Sequence, residues 1–177
     1  FGDIAASSFG GIVYYTSPDR SSLLEQLQNQ SIKALCDADW KDLTIIRLPE
    51  IPTFNLLVGW TGQVAITDSL IQATEKKRKV ETDSVFYKEF LAKSHAIVQG
   101  LQNAWNKQDI LALQEGIRAN RALLNEFAQV MQLEIETPAL QTLCNLAEQN
   151  GACAKTSGAG GGDCGICFTQ NETQKQQ

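Results

Sequence analysis

The sequence predicts an α+β fold in which an antiparallel sheet is covered by helices on one face. Three observations lead there. Segments rich in β-branched and aromatic residues lie toward both ends of the chain. Two long stretches between them carry apolar residues at helical spacing. The last two β-rich segments flank a glycine-rich turn, as paired strands would.

The elements follow in order. Residues 11–16 (Gly-Ile-Val-Tyr-Tyr-Thr) form a strand closed by the turn signal Ser17-Pro18-Asp19. Residues 43–48 and 54–60 are two more strands, with Pro49-Glu50-Ile51-Pro52 marking a turn between them because proline cannot donate to a ladder. A helix over about 65–79 ends in Lys76-Lys77-Arg78-Lys79, cations that suit the negative end of a helix dipole or simply a solvated end. Phe86, Phe90, Ile97, Leu101 and Trp105 make one apolar stripe, and Ile110, Leu113, Ile117, Leu124, Ala128 and Met131 make a second. Asn106 is placed to cap the second of these helices. Thr137-Pro138 opens a further helix to about Gln149, which Asn150-Gly151 stops. Residues 152–155 and 164–168 are the final strand pair, and the polar tail from Thr169 is expected to fray.

A chain of 177 residues with 43% hydrophobic and 20% charged residues has the composition of an ordinary globular protein. Its net charge of −5 argues against generic nucleic-acid binding, which needs a basic face. An anionic small molecule stays possible, because a few local cations and backbone N–H groups can outweigh the global sign. No apolar run approaches the roughly 20 residues needed to span a bilayer. The five cysteines are odd in number and mostly set among apolar neighbours. Cys164-Gly165-Ile166-Cys167 has a metal-like spacing, but zinc would want a second pair of ligands and the lone His95 is far away in sequence. These cysteines are read as small apolar residues in a reducing, cytoplasmic setting. His95 itself is read as a surface or core histidine.

The strongest chemical signal is Lys155-Thr156-Ser157-Gly158-Ala159-Gly160-Gly161-Gly162-Asp163-Cys164-Gly165. Four of the five residues from 158 to 162 lack a Cβ, so the backbone can adopt positive φ and approach a ligand closely. Successive N–H groups in such a turn form a concave anion site suited to phosphate oxygens. No Gly-Lys-Ser/Thr follows, so this is not a Walker loop, and it leads into a strand, so it is not a dinucleotide fingerprint. A plain structural hairpin is the competing reading. Arg121 falls within the apolar stripe of its helix, where a charge needs a partner, and Arg118 lies one turn earlier. Either is a candidate to bind a substrate phosphate bidentately, or to pair with a glutamate.

Residues 155–165 resemble the C-terminal glycine-rich motif of the GHMP kinases, in the form typical of bacterial phosphomevalonate kinases. Gly2-Asp3-Ile4-Ala5-Ala6-Ser7-Ser8-Phe9-Gly10-Gly11 is similar to the acidic motif of the same family. Leu57-Val58-Gly59-Trp60-Thr61-Gly62, followed by Ala65 and Thr67, resembles a third stretch of phosphomevalonate kinases, with Val64 and Ile66 departing from its Pro and Ser. The resemblance implies residues 1–42 as the remnant of an N-terminal kinase domain and its connection, and 43–177 as the C-terminal domain. It implies transfer of the ATP γ-phosphate to 5-phosphomevalonate, with Mg²⁺, in isoprenoid synthesis. By position Asp3 becomes the catalytic carboxylate, an orienter of a lysine or of Mg²⁺. Ser157, Gly158, Ala159, Gly160, Gly161, Gly162 and Asp163 become the phosphate-binding turn. The family's main ATP loop lies upstream, so the chain is expected to be part of a longer protein and inactive alone. Another GHMP kinase, acting on mevalonate or a sugar, and a non-catalytic domain that keeps the turn as a scaffold are the alternatives.

Overall fold

The computed structural model describes residues 1–62, 85–158 and 160–170. The chain divides into two compact units, 1–50 and 51–177.

In the first unit, α1 (Gly2–Phe9) leads to β1 (Val13–Thr16), then α2 (Arg20–Asn29), α3 (Ile32–Cys36) and β2 (Thr44–Arg47). β1 and β2 pair antiparallel, from Val13 opposite Arg47 to Thr16 opposite Thr44. The Asp19 carboxylate accepts from the N–H groups of Ser21 and Ser22 at 3.0 and 3.2 Å, so the predicted turn doubles as the N-cap of α2. Ser31 caps α3 in the same way.

The second unit contains β3 (Asn55–Trp60), α4 (Val85–Lys107), α5 (Ile110–Met131), α6 (Pro138–Gln149), β4 (Cys153–Thr156) and β5 (Cys164–Thr169). Its sheet has the order β3-β5-β4, both pairings antiparallel. α6 lies so close to the sheet that a Cβ at Gly59 would stand 2.4 Å from Leu143 Cδ1, and one at Gly165 2.7 Å from Leu143 Cδ2. Two glycines opposite each other in the ladder thus admit one leucine. Leu140, on the same helix, is fully buried, which is worth about 1.5–3 kcal/mol relative to exposure. Phe54 stacks on Phe168 at 5.0 Å, with Trp105 edge-on to both. A second cluster gathers Phe127, Ala128, Met131 and Ile135, with Phe90 stacked on Phe127 at 4.3 Å.

Two expectations are corrected. Residues 43–50 fall in the first compact unit, where β2 pairs with β1, while β3 pairs with β5. The segment Pro49–Pro52 therefore separates two sheets and turns no hairpin. The α5 N-cap is Asp109, whose carboxylate accepts from the Ala112 N–H, and Asn106 lies in the last turn of α4. The opening residues, to which no element was assigned above, are helical, with Asp3 in the first turn of α1. The helix expected over 65–79 falls outside the described residues.

Candidate functional site

The site is built around the connection from β4 to β5. Thr156 and Gly165 form the last ladder pair, and the Ser157 N–H closes the hairpin on the Cys164 carbonyl at 2.9 Å. Beyond that point the chain takes conformations that glycine tolerates and other residues resist: φ is +63° at Gly158, +78° at Gly160, +80° at Gly161 and +128° at Gly162. Asp163 also lies at φ +60°.

Two outside groups hold this turn. The Gly161 N–H donates to the Ile135 carbonyl, in the α5–α6 link, at 2.7 Å. Gly160 lies against the same carbonyl, so closely that a Cβ there would stand 2.2 Å from the oxygen. On the other side, the Thr61 N–H and Thr61 Oγ1 both donate to the Asp163 carbonyl at 2.8 Å. Thr61 belongs to the Gly59-Trp60-Thr61-Gly62 stretch, which the sequence marked by resemblance alone. Its physical task is to clamp the end of the glycine-rich turn.

The tethers leave donors over. Among the described residues, the N–H groups of Gly158, Gly160 and Gly162 donate to no other group. Gly160 and Gly162 are buried residues, and an N–H left without a protein acceptor is available to an external one. Phosphate oxygens or water can be that acceptor. Thr156 adds a buried hydroxyl with no hydrogen-bond partner among the described residues. Lys155, one residue earlier, donates from Nζ to the Thr156 carbonyl at 2.8 Å, and burial pulls its pKa below that of an ordinary lysine.

Arg121 and Arg118 do not stand as free cations beside the turn. Arg121 Nε donates to both Glu136 carboxylate oxygens at 3.2 and 3.1 Å, and Nη2 reaches Glu136 Oε1 and, at 2.9 Å, Asn145 Oδ1. Asn125 Nδ2 donates to the other Glu136 oxygen at 2.7 Å. Hydrogen bonding to Glu136 raises the pKa of Arg121. Burial by itself would raise the pKa of Glu136, but hydrogen bonds from Arg121 and Asn125, with the arginine charge, hold it below the usual carboxylate value. Arg118 Nε pairs with Glu148 Oε2 at 2.7 Å and Nη2 donates to the Ala152 carbonyl at 3.1 Å. The partner that the apolar stripe demanded is a glutamate in each case.

The remaining candidates are placed as follows. Asp3 is exposed in the first unit. Ala159 lies outside the described residues. His95 is exposed on α4. Cys164 and Cys167 are three apart on one strand and so point to opposite faces, which prevents their converging on one ion. All five cysteines are free thiols. Burial pushes Cys144 up to about 11 and Cys153 up to about 12, far from thiolate reactivity at neutral pH. Sequence reasoning missed Ile135, Glu136 and the clamping role of Thr61. Ile135 acts through its backbone and leaves no side-chain signal, whereas Arg121 in its stripe signalled the need for some anionic partner without saying which.

Comparison with known proteins bears on this geometry. Residues 97–177 match the family model described as GHMP kinases C terminal. A curated phosphomevalonate kinase of Streptomyces sp. (strain CL190) is 35% identical over 98% of this chain. A crystallised protein of Listeria innocua superposes with a TM-score of 0.92 at 32% identity, over 99% of this chain and 48% of its own. The phosphomevalonate kinase of Streptococcus pneumoniae, solved in complex with phosphomevalonate and AMPPNP, superposes with a TM-score of 0.81 at 28% identity, over 99% of this chain and 49% of its own. The chain thus spans 46% of the length of its curated relative.

Proposed function

We propose that the chain belongs to the GHMP kinases and is the C-terminal part of an enzyme transferring the ATP γ-phosphate to 5-phosphomevalonate, giving 5-diphosphomevalonate. The observation that carries this reading is the glycine-rich turn, fixed by Ile135 and Thr61 yet left with N–H groups at Gly158, Gly160 and Gly162 that find no acceptor among the described residues. Its likeness to the Streptococcus pneumoniae enzyme, solved with phosphomevalonate and an ATP analogue, supports the choice of substrates.

The acceptor would be a phosphate monoester, whose second pKa near 6 leaves it largely deprotonated at neutral pH. A strong general base is then unnecessary. The obstacle is bringing two polyanions together, so rate enhancement rests on positioning and charge neutralisation. Backbone N–H groups of the turn would hold phosphate oxygens, with the half-buried Ser157 beside them. Gly160 keeps the backbone against the Ile135 carbonyl, and its positive φ keeps the turn concave. Asp3 would orient a lysine or Mg²⁺ and is not needed as proton acceptor.

Among the described residues no three acidic, histidine or cysteine side chains gather into a metal cage. Mg²⁺ is ordinarily held by one or two carboxylates and by the substrate's own phosphates. When bound, it would neutralise phosphate charge.

The test is to express the complete protein containing this chain and follow ATP-dependent product formation with 5-phosphomevalonate, mevalonate and galactose as acceptors. Turnover with 5-phosphomevalonate at least a hundredfold above the other two is expected, on the order of what a site built for a phosphate discriminates. Preference for mevalonate or galactose would move the chain to another branch of the family. No turnover with any of them would favour a scaffold.

A further inference from the structure

We propose that Arg121 and Glu136 are positioning residues for the glycine-rich turn, acting through the backbone of the α5–α6 link. The proposal rests on reading that turn as a phosphate site, but its geometry is independent of the substrate. The link from Gln132 to Thr137 has no repeating secondary structure, so no ladder or helix sets its place. Its ends are anchored by a left-handed Gln132, at φ 49°, and by Thr137, the N-cap of α6. Between them the Ile135 side chain enters the Phe127–Met131 cluster, and the next residue, Glu136, is gripped by α5 and connected through Arg121 to α6. The side chains of Arg121 and Glu136 are only 16% and 5% exposed, so solvent does little to loosen this grip.

The Ile135 carbonyl is the group that this arrangement presents. It accepts the Gly161 N–H at 2.7 Å and occupies the space that a Gly160 Cβ would need. A displacement of the link by about 1 Å, enough to carry a hydrogen bond past its distance range, would release Gly161 and let the turn open. The guanidinium therefore serves phosphate binding from behind. It holds a carboxylate, the carboxylate holds the link, and the link holds the turn. Arg118 performs a parallel task one turn away, binding the Ala152 carbonyl at the entry to β4.

The test separates positioning from bare stability. Removing one member of a buried ion pair strands the other charge, whereas removing both commonly restores stability. Arg121→Met, Glu136→Leu and the double variant are made in the complete protein. Melting temperature is measured, together with hydrogen–deuterium exchange of the peptide covering 157–163. The double variant is expected to regain most of the melting temperature lost by the single ones. Its 157–163 amides should still exchange about three- to tenfold faster than wild type, the factor that one lost hydrogen bond represents. Wild-type exchange in a stable double variant overturns the proposal. If the double variant does not fold, Asn125→Ala decides, since it removes one donor to Glu136 and strands no charge. Faster exchange in 157–163 then supports positioning, and unchanged exchange sinks it. Exchange is read without catalysis, so a protein that proves not to be a kinase leaves this result standing. An active enzyme with unaltered exchange in the deciding variant loses only the positioning role.

Discussion

Gly160→Ala is the substitution on which the account of the turn depends most. The added methyl would stand 2.2 Å from the Ile135 carbonyl oxygen and 2.6 Å from Ile135 Cγ2, about 1 Å inside ordinary contact. The nearest atom is backbone, which cannot swing aside as the tip of a long side chain can. Three penalties combine. A left-handed φ costs a non-glycine residue about 1–2 kcal/mol. Relieving the overlap adds about 1–3 kcal/mol. Shifting the turn stretches the 2.7 Å bond from Gly161 to Ile135, worth about 1 kcal/mol. The sum is about 3–6 kcal/mol, a large share of the stability of a domain. Gly158→Ala is the control, for its φ is also positive at +63° but nothing lies within 4 Å of the new methyl. Only the conformational term of about 1–2 kcal/mol remains there. Denaturant unfolding of both variants in the complete protein, with fitted slopes compared so that two-state behaviour is checked, measures the difference. Equal destabilisation of the two would refute the argument, because it would mean that Gly160 is required for its φ alone and does not touch the link.

Thr156→Val should leave stability unchanged or raise it by about 0.5–1 kcal/mol, since it removes a buried hydroxyl without a partner and keeps the β-branched shape; a loss above 1 kcal/mol on denaturation would show that the hydroxyl has a partner in solution. Arg118→Ala should cost roughly 1 kcal/mol, because that pair is 40% and 25% exposed, against roughly 3 kcal/mol or more for Arg121→Ala, whose glutamate would be stranded; the reverse order in urea titrations would contradict the burial argument. Stability should fall above pH 9, because the unfolded Cys144 and Cys153 thiols give up protons near 9.0 while the folded ones hold them to about 11 and about 12. Each thiol contributes a slope of up to about 1.4 kcal/mol per pH unit within its window, and Cys153→Ala should flatten the fall seen in melting temperatures between pH 8 and 10.

Much of the second unit was legible one segment at a time. The helical stripes of α4 and α5, the Thr137-Pro138 start of α6 and the paired strands around the glycines are all local signals. α2 escaped because its apolar content is low and it buries no residue, and α3 because five residues are too few for a helical period to register. The helical state of Gly2–Phe9 escaped because a glycine and two serines mask a weak stripe.

What the sequence determined by itself was the turn: glycines in succession permit positive φ, whatever surrounds them. It also determined that Arg121 had to have a partner, since a charge in an apolar stripe cannot stay unpaired. It did not determine which partner. Substrate phosphate and protein carboxylate satisfy a guanidinium equally well, and only the packing of the α5–α6 link brought Glu136 into place. The same holds for the clamp from Thr61 to Asp163, 102 residues apart, and for the choice of β1 over β3 as the partner of β2. Backbone preferences and side-chain periodicity act within a few residues, so they can be read in order along the chain. Pairing between distant segments is decided by shape and by competition for the same donors and acceptors, which exist only once the chain has folded.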